Sequence, residues 1–166
     1  MTESQFLAWV RSALRSKSLR WPPRNTCLEL ARRPYKGPNK RQKWEYECAI
    51  CKNYFNAKEV AVDHYPKEAG SILSVADVGE FVNNLYCEVD NLRCLCRECH
   101  DIHTLASKNG ITFKEARIEK EILAIMKWPK KKIDSYCEEH GYSGTTNDVK
   151  RKAAVSAILK GRVNEL

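Results

Sequence analysis

Apolar positions recur at helical spacing from the start of the chain: Phe6, Val10, Ala13 and Leu14 share one face and predict a helix over residues 3–17. Trp21-Pro22-Pro23 stops any helix there, and Asn25 and Thr26 can cap a second, short one through Leu28, Leu30 and Ala31. Over residues 32–43 the pattern lapses into turn-formers and cations, which predicts a loop or arm. Alternation then takes over. Trp44, Tyr46 and Cys48 alternate with polar residues as in a strand, and Val60-Ala61-Val62 marks another that delivers Asp63 and His64 before Pro66 breaks the run.

Helical spacing returns in an insertion over residues 71–88, where Val78, Phe81, Val82, Leu85 and Tyr86 fall on one face, weakened by Gly79. Leu92 to Leu95 can supply a further short strand, after which a helix runs through Lys108 and ends at Asn109-Gly110. Thr112 and Glu115 form a capping box for the next helix, with an apolar stripe of Phe113, Ala116, Ile118, Ile122, Leu123 and Met126, and Pro129 ends it. Two more helical segments follow over residues 133–140 and 146–159. The pattern predicts an α+β protein in three parts: a basic helical and loop arm (1–43), a core of short strands and cysteines (44–110) and a helical extension (111–166).

Charge divides the chain in the same way. Of the net +8, residues 1–47 carry +7, residues 48–107 carry −4 and residues 108–166 carry +5. Basic arms around an acidic centre suit a protein that holds a polyanion while presenting carboxylates to a divalent cation, and Arg32, Arg33, Lys36, Lys40, Arg41 and Lys43 are the candidate contacts to nucleic acid. No apolar run approaches the roughly 20 residues of a membrane helix, and the start lacks the apolar stretch of a signal peptide. The expectation is a cytoplasmic protein without membrane contact.

Eight cysteines in such a compartment point to metal thiolates rather than disulfides. Cys48-x-x-Cys51 and Cys96-x-x-Cys99 are two tight pairs whose four thiolates suit one tetrahedral, structural zinc closing the 44 residues between them. A ligand set using His100 and His103 is disfavoured, because only two residues separate them. Cys94 is a competitor for Cys96 but lacks the paired spacing; it, Cys27, Cys87 and Cys137 read as buried small apolar residues. If zinc joins the two pairs, the strand end carrying Asp63 and His64 can approach the helix start carrying His100. Asp63 and His100 can then bind Mg2+ or a similar ion, leaving His64, which points the other way on a strand, to act on water.

Taken together, Cys48-x-x-Cys51, Val62-Asp63-His64, Asp90-Asn91-Leu92 and Leu95-Cys96-x-x-Cys99-His100 give residues 44–104 a pattern that resembles the HNH endonucleases of the ββα-metal class, most closely the zinc-containing phage type. Leu19-Arg20-Trp21-Pro22-Pro23 and Ala31-Arg32-Arg33 also resemble segments that precede the core in phage proteins. The resemblance implies a small zinc-stapled ββα-metal core with mostly helical extensions, hydrolysing DNA phosphodiester bonds in a bacterial host cytoplasm. It further implies that His64 is the general base, that Asp63 and His100 hold the catalytic Mg2+ or Mn2+, and that Asn91 buttresses the His64 loop. His103 would touch the scissile phosphate or complete the metal shell, at a position that is often Lys in the family. A phage protein or a second copy of the chain is the partner such proteins would have besides DNA. Two other readings stand beside this one: a non-catalytic zinc-bound DNA-binding regulator, and a nuclease acting on RNA.

Overall fold

The computed structural model describes residues 1–164, which form seven α-helices and five short strands in an α+β arrangement. Contacts divide the chain into two compact units, residues 1–100 and 101 onward.

In the first unit, α1 (Glu3–Ser18) is opened by a capping box in which the Thr2 hydroxyl accepts from the Gln5 N–H and the Gln5 side chain accepts from the Thr2 N–H. Its Leu7 joins Ala69, Ile72, Phe81 and Leu85 in a buried cluster. Helix α2 spans Pro22–Ala31, so the two prolines begin this helix rather than only ending the one before, and Asn25 and Thr26 lie inside it. Proline suits the first turn, where its missing N–H would have no helical partner and its fixed φ is already helical.

The segment read as a loop or arm is a loop over residues 35–43, but its first three residues form a strand and make it a hairpin. Strand β1 (Arg32–Pro34) pairs antiparallel with β2 (Trp44–Glu47), with Arg32 opposite Tyr46 and Pro34 opposite Trp44, and residues 35–43 form the connecting loop. Its arginines find cross-strand partners that local composition does not reveal. The Arg33 Nε lies 2.7 Å from Glu45 Oε1 and its guanidinium packs 3.2 Å from the Tyr54 ring centre, while Arg32 stacks on Trp44 at 4.6 Å. A two-residue strand, β3 (Tyr54–Phe55), completes this sheet on the other side of β2.

Strand β4 (Val60–His64) precedes α3 (Val78–Leu85), and the chain returns as β5 (Leu92–Cys96), antiparallel to β4 with Asp63 opposite Arg93 and His64 opposite Leu92. Helix α4 (Arg97–Asn109) follows without a loop. The β4–β5 pair is backed by α2, and Cys27, Val62, Leu92 and Cys94 are buried there. Of the four unpaired cysteines, Cys27, Cys94 and Cys137 are buried, but Cys87 is only half-buried, its thiol 3.7 Å from the Asn91 carbonyl.

The second unit takes in the rest of α4 with α5 (Phe113–Ile125), α6 (Lys130–Glu139) and α7 (Asp148–Asn164). Thr112 and Glu115 make the expected capping box. Ile118, Ile122, Ile125, Ile133, Cys137, Ala154, Val155, Ile158 and Leu159 form one buried cluster, from which Leu123, expected in the apolar stripe of α5, is turned to solvent at 45 % exposure. Arg151 is buried beside it, and its Nε and Nη2 donate to Asp134 Oδ1 and Oδ2 at 2.8 and 2.9 Å. None of the described helices is long and apolar enough to cross a membrane.

Candidate functional site

The sequence leads β2 directly into the first cysteine pair, and the turn there is tight. Cys48 N–H donates to the Asn53 carbonyl and Lys52 N–H to the Cys48 carbonyl, both at 2.9 Å, with Lys52 in the left-handed region at φ 60°. Ala49 N–H reaches the Cys94 carbonyl at 2.8 Å, which ties this turn to β5, and at the second pair Cys99 N–H points at Cys96 Sγ at 3.4 Å. The sulfurs of Cys48, Cys51, Cys96 and Cys99 all lie within 4.8 Å of one another, three of the residues buried and Cys51 exposed.

Four thiols so close fit a structural metal ion such as zinc. Tetrahedral Zn–S bonds of about 2.3 Å place sulfurs roughly 3.8 Å apart, so a small contraction completes the site. Burial pushes the Cys96 and Cys99 thiols up. Burial acts on Cys48 too, but backbone N–H groups of Cys96, Cys51 and Ile50 outweigh it and bring that thiol down to about 7. Cys94 stays outside the cluster in the core, where burial and then the nearby Cys27 push it up to about 12.

A second constellation sits further along the β4–β5 pair. Arg93, opposite Asp63, donates to Asp63 Oδ2 through Nε at 3.1 Å and Nη2 at 2.9 Å, while Asp63 Oδ1 lies 3.9 Å from Nε2 of His100 at the start of α4. Neighbouring ligands of an octahedral Mg2+ at about 2.1 Å stand roughly 3.0 Å apart, so a closing movement of about 1 Å would let the two atoms share one ion. His64, next along the strand, projects to the other side. Its Nε2 lies 3.1 Å from the Leu85 carbonyl at the end of α3. In the tautomer with Nε2 protonated, that nitrogen donates and Nδ1 is left able to accept a proton.

Asn91 meets this loop through its backbone: its carbonyl accepts from the Tyr65 N–H at 2.9 Å, immediately after His64. His103 is half-buried one helical turn beyond His100 on α4, and belongs by contacts to the second unit. Of the six basic candidates, Arg32 and Arg33 are engaged in the hairpin, whereas Lys36, Lys40, Arg41 and Lys43 are exposed on its loop. Arg41 and Lys43 also line a groove of about 510 Å³ with Trp44, Tyr46, Asn56 and Lys58.

Three contributions to the site are absent from the sequence reading. The insertion that lengthens the path from His64 to Asn91 supplies, through α3, the carbonyl that holds His64. Arg93 holds Asp63, and the only signal for it is a cation among acidic neighbours two residues after Asn91. Arg24, half-buried on α2, is the third: burial lowers its pKa, while Cys27, Cys87 and Asp63 act in the opposite direction. Comparison with family models, curated proteins and solved structures found no match for this chain.

Proposed function

We propose that this protein is a metal-dependent endonuclease of the HNH type that hydrolyses DNA phosphodiester bonds. The observation that carries the reading is the convergence of Asp63 Oδ1 and His100 Nε2 to 3.9 Å on a strand–strand–helix unit whose base is held by the four-cysteine cluster. Bound there, a divalent cation would supply Lewis acidity to the scissile phosphate and the departing 3′ oxygen. Asp63 and His100 would hold that ion. His64 takes the proton of the attacking water on Nδ1, its ring fixed by the Nε2–H bond to the Leu85 carbonyl. Asn91 keeps the His64 loop in place through its carbonyl. The exposed lysines and arginine of the β1–β2 loop contribute phosphate contacts that are blind to sequence.

The test is nicking of supercoiled plasmid by zinc-loaded protein with and without added Mg2+ or Mn2+, alongside RNA of matched length. Ion-dependent DNA nicking is expected, and His64→Ala should lower it roughly 100- to 10,000-fold while zinc content and DNA binding persist. Cleavage of RNA alone would move the reading to a ribonuclease. Tight DNA binding with no cleavage of either would leave a zinc-bound DNA-binding regulator.

A further inference from the structure

The Asp63 carboxylate is the anionic member of the proposed metal-binding pair, and its charge is already matched. Arg93 forks onto Oδ2 with two N–H groups, at 2.9 and 3.1 Å, from a guanidinium stacked 4.2 Å over the Tyr65 ring. Both side chains are largely withdrawn from water, at 16 and 13 % exposure, so their interaction is weakly screened. The fork also divides the labour of the two oxygens. Oδ2 is held by the arginine, and Oδ1 is the atom turned towards His100. A second guanidinium, that of Arg24, stands within electrostatic reach of the same carboxylate. A dication arriving between Asp63 and His100 therefore meets a carboxylate whose other oxygen already carries the Arg93 cation.

We propose that Arg93 makes metal loading conditional on nucleic acid: it orients Asp63 for the divalent ion yet offsets the carboxylate's charge, so the ion binds firmly only when a backbone phosphate supplies the missing negative ligand. The inference rests on the nuclease reading of this site. Its consequence is that free protein carries little catalytic metal, and that phosphate and ion enter together. Arg93 is a positioning residue, acting on the ion through Asp63 and through its own charge.

Mn2+ binding to zinc-loaded protein tests this without reference to turnover, with electron paramagnetic resonance reporting free Mn2+. A His64→Ala background keeps a short duplex intact, and His64→Ala/Asp63→Asn subtracts ions condensed on the DNA. The expected result is Mn2+ affinity at least roughly tenfold higher with duplex than without, from the Coulomb energy of one unit charge close to a dication at high effective dielectric. Arg93→Gln should tighten duplex-free binding by roughly tenfold and shrink the gap, while Arg93→Lys, which keeps the cation, preserves most of it. Zinc content and circular dichroism check that each variant is folded; should Arg93→Gln fail that check, the duplex dependence of the His64→Ala protein and Arg93→Lys decides alone. Equal Mn2+ affinity with and without duplex overturns the inference, as does weaker duplex-free binding in a folded Arg93→Gln protein. If plasmid is nicked under either of those outcomes, the nuclease reading survives and only the coupling falls; absence of ion-dependent nicking removes both.

Discussion

The two units of this chain solve the same problem with different chemistry. The first spreads its apolar burial over two small clusters, five buried residues around Phe81 and four around Cys94, and adds four convergent thiols. The second puts nine buried residues into its main cluster, beside a smaller one of Ile102, Ala106 and Ala116, and has no thiol cluster among its described residues. A unit with a fragmented core gains most from a cross-link that metal provides, whereas a three-helix face can close on itself. Short strands and charged residues leave the first unit little room for apolar packing.

The largest effect expected from this contrast is loss of the metal. Removing zinc with a strong chelator, or making Cys48→Ser, should unfold the first unit, because structural zinc of this kind is worth roughly 10–16 kcal/mol apparent near neutral pH. Far-UV circular dichroism of the full chain should then retain the helical signal of α5–α7. Complete loss of helicity would show that the second unit does not stand alone.

A smaller effect is expected in the opposite direction. Ile122→Ala, at a position 1 % exposed, should destabilise the second unit by about 2–5 kcal/mol and leave zinc stoichiometry unchanged. Zinc release on this substitution would break the comparison.

The smallest concerns acid. Hydrogen bonds from Arg151 and then Thr145 hold the Asp134 carboxyl below its ordinary range. A depressed folded pKa means its contribution is present above the unfolded value of about 3.9 and lost as pH falls through the folded one. The thermal midpoint of the helical signal should therefore drop below about pH 4, less steeply in Asp134→Asn. An identical slope in the variant would remove Asp134 from the account.

Where structure follows from local pattern, the sequence reading and the fold coincide: the first helix, the capping box of α5, the strand over Val60–His64 and the helix after Cys96 are all governed by residues a few positions apart. Where it depends on partners distant in sequence, local pattern is silent. Arg32 and Arg33 look like loop cations until Trp44, Glu45 and Tyr54 are brought beside them. The prolines of α2 illustrate another limit, since the same ring ends one helix and begins the next. The site is legible in a similar way. Paired cysteine spacing announces the thiol cluster, but the Arg93 fork depends on strand register and the Leu85 carbonyl on the path of an insertion, neither of which a linear pattern encodes.

The β4–β5 register carries a further consequence, for how such a protein can change over generations. Because side chains alternate along a strand, inserting or deleting one residue within β4 would exchange the faces of Asp63 and His64 and set the wrong one opposite Arg93. The Arg97 N–H to Glu59 carbonyl bond and the Ala49 N–H to Cys94 carbonyl bond fasten this alignment beside the cysteine pairs. Length variation is thereby channelled into the loops between His64 and Asn91, where residues can be gained or lost as long as the Leu85 carbonyl still reaches His64.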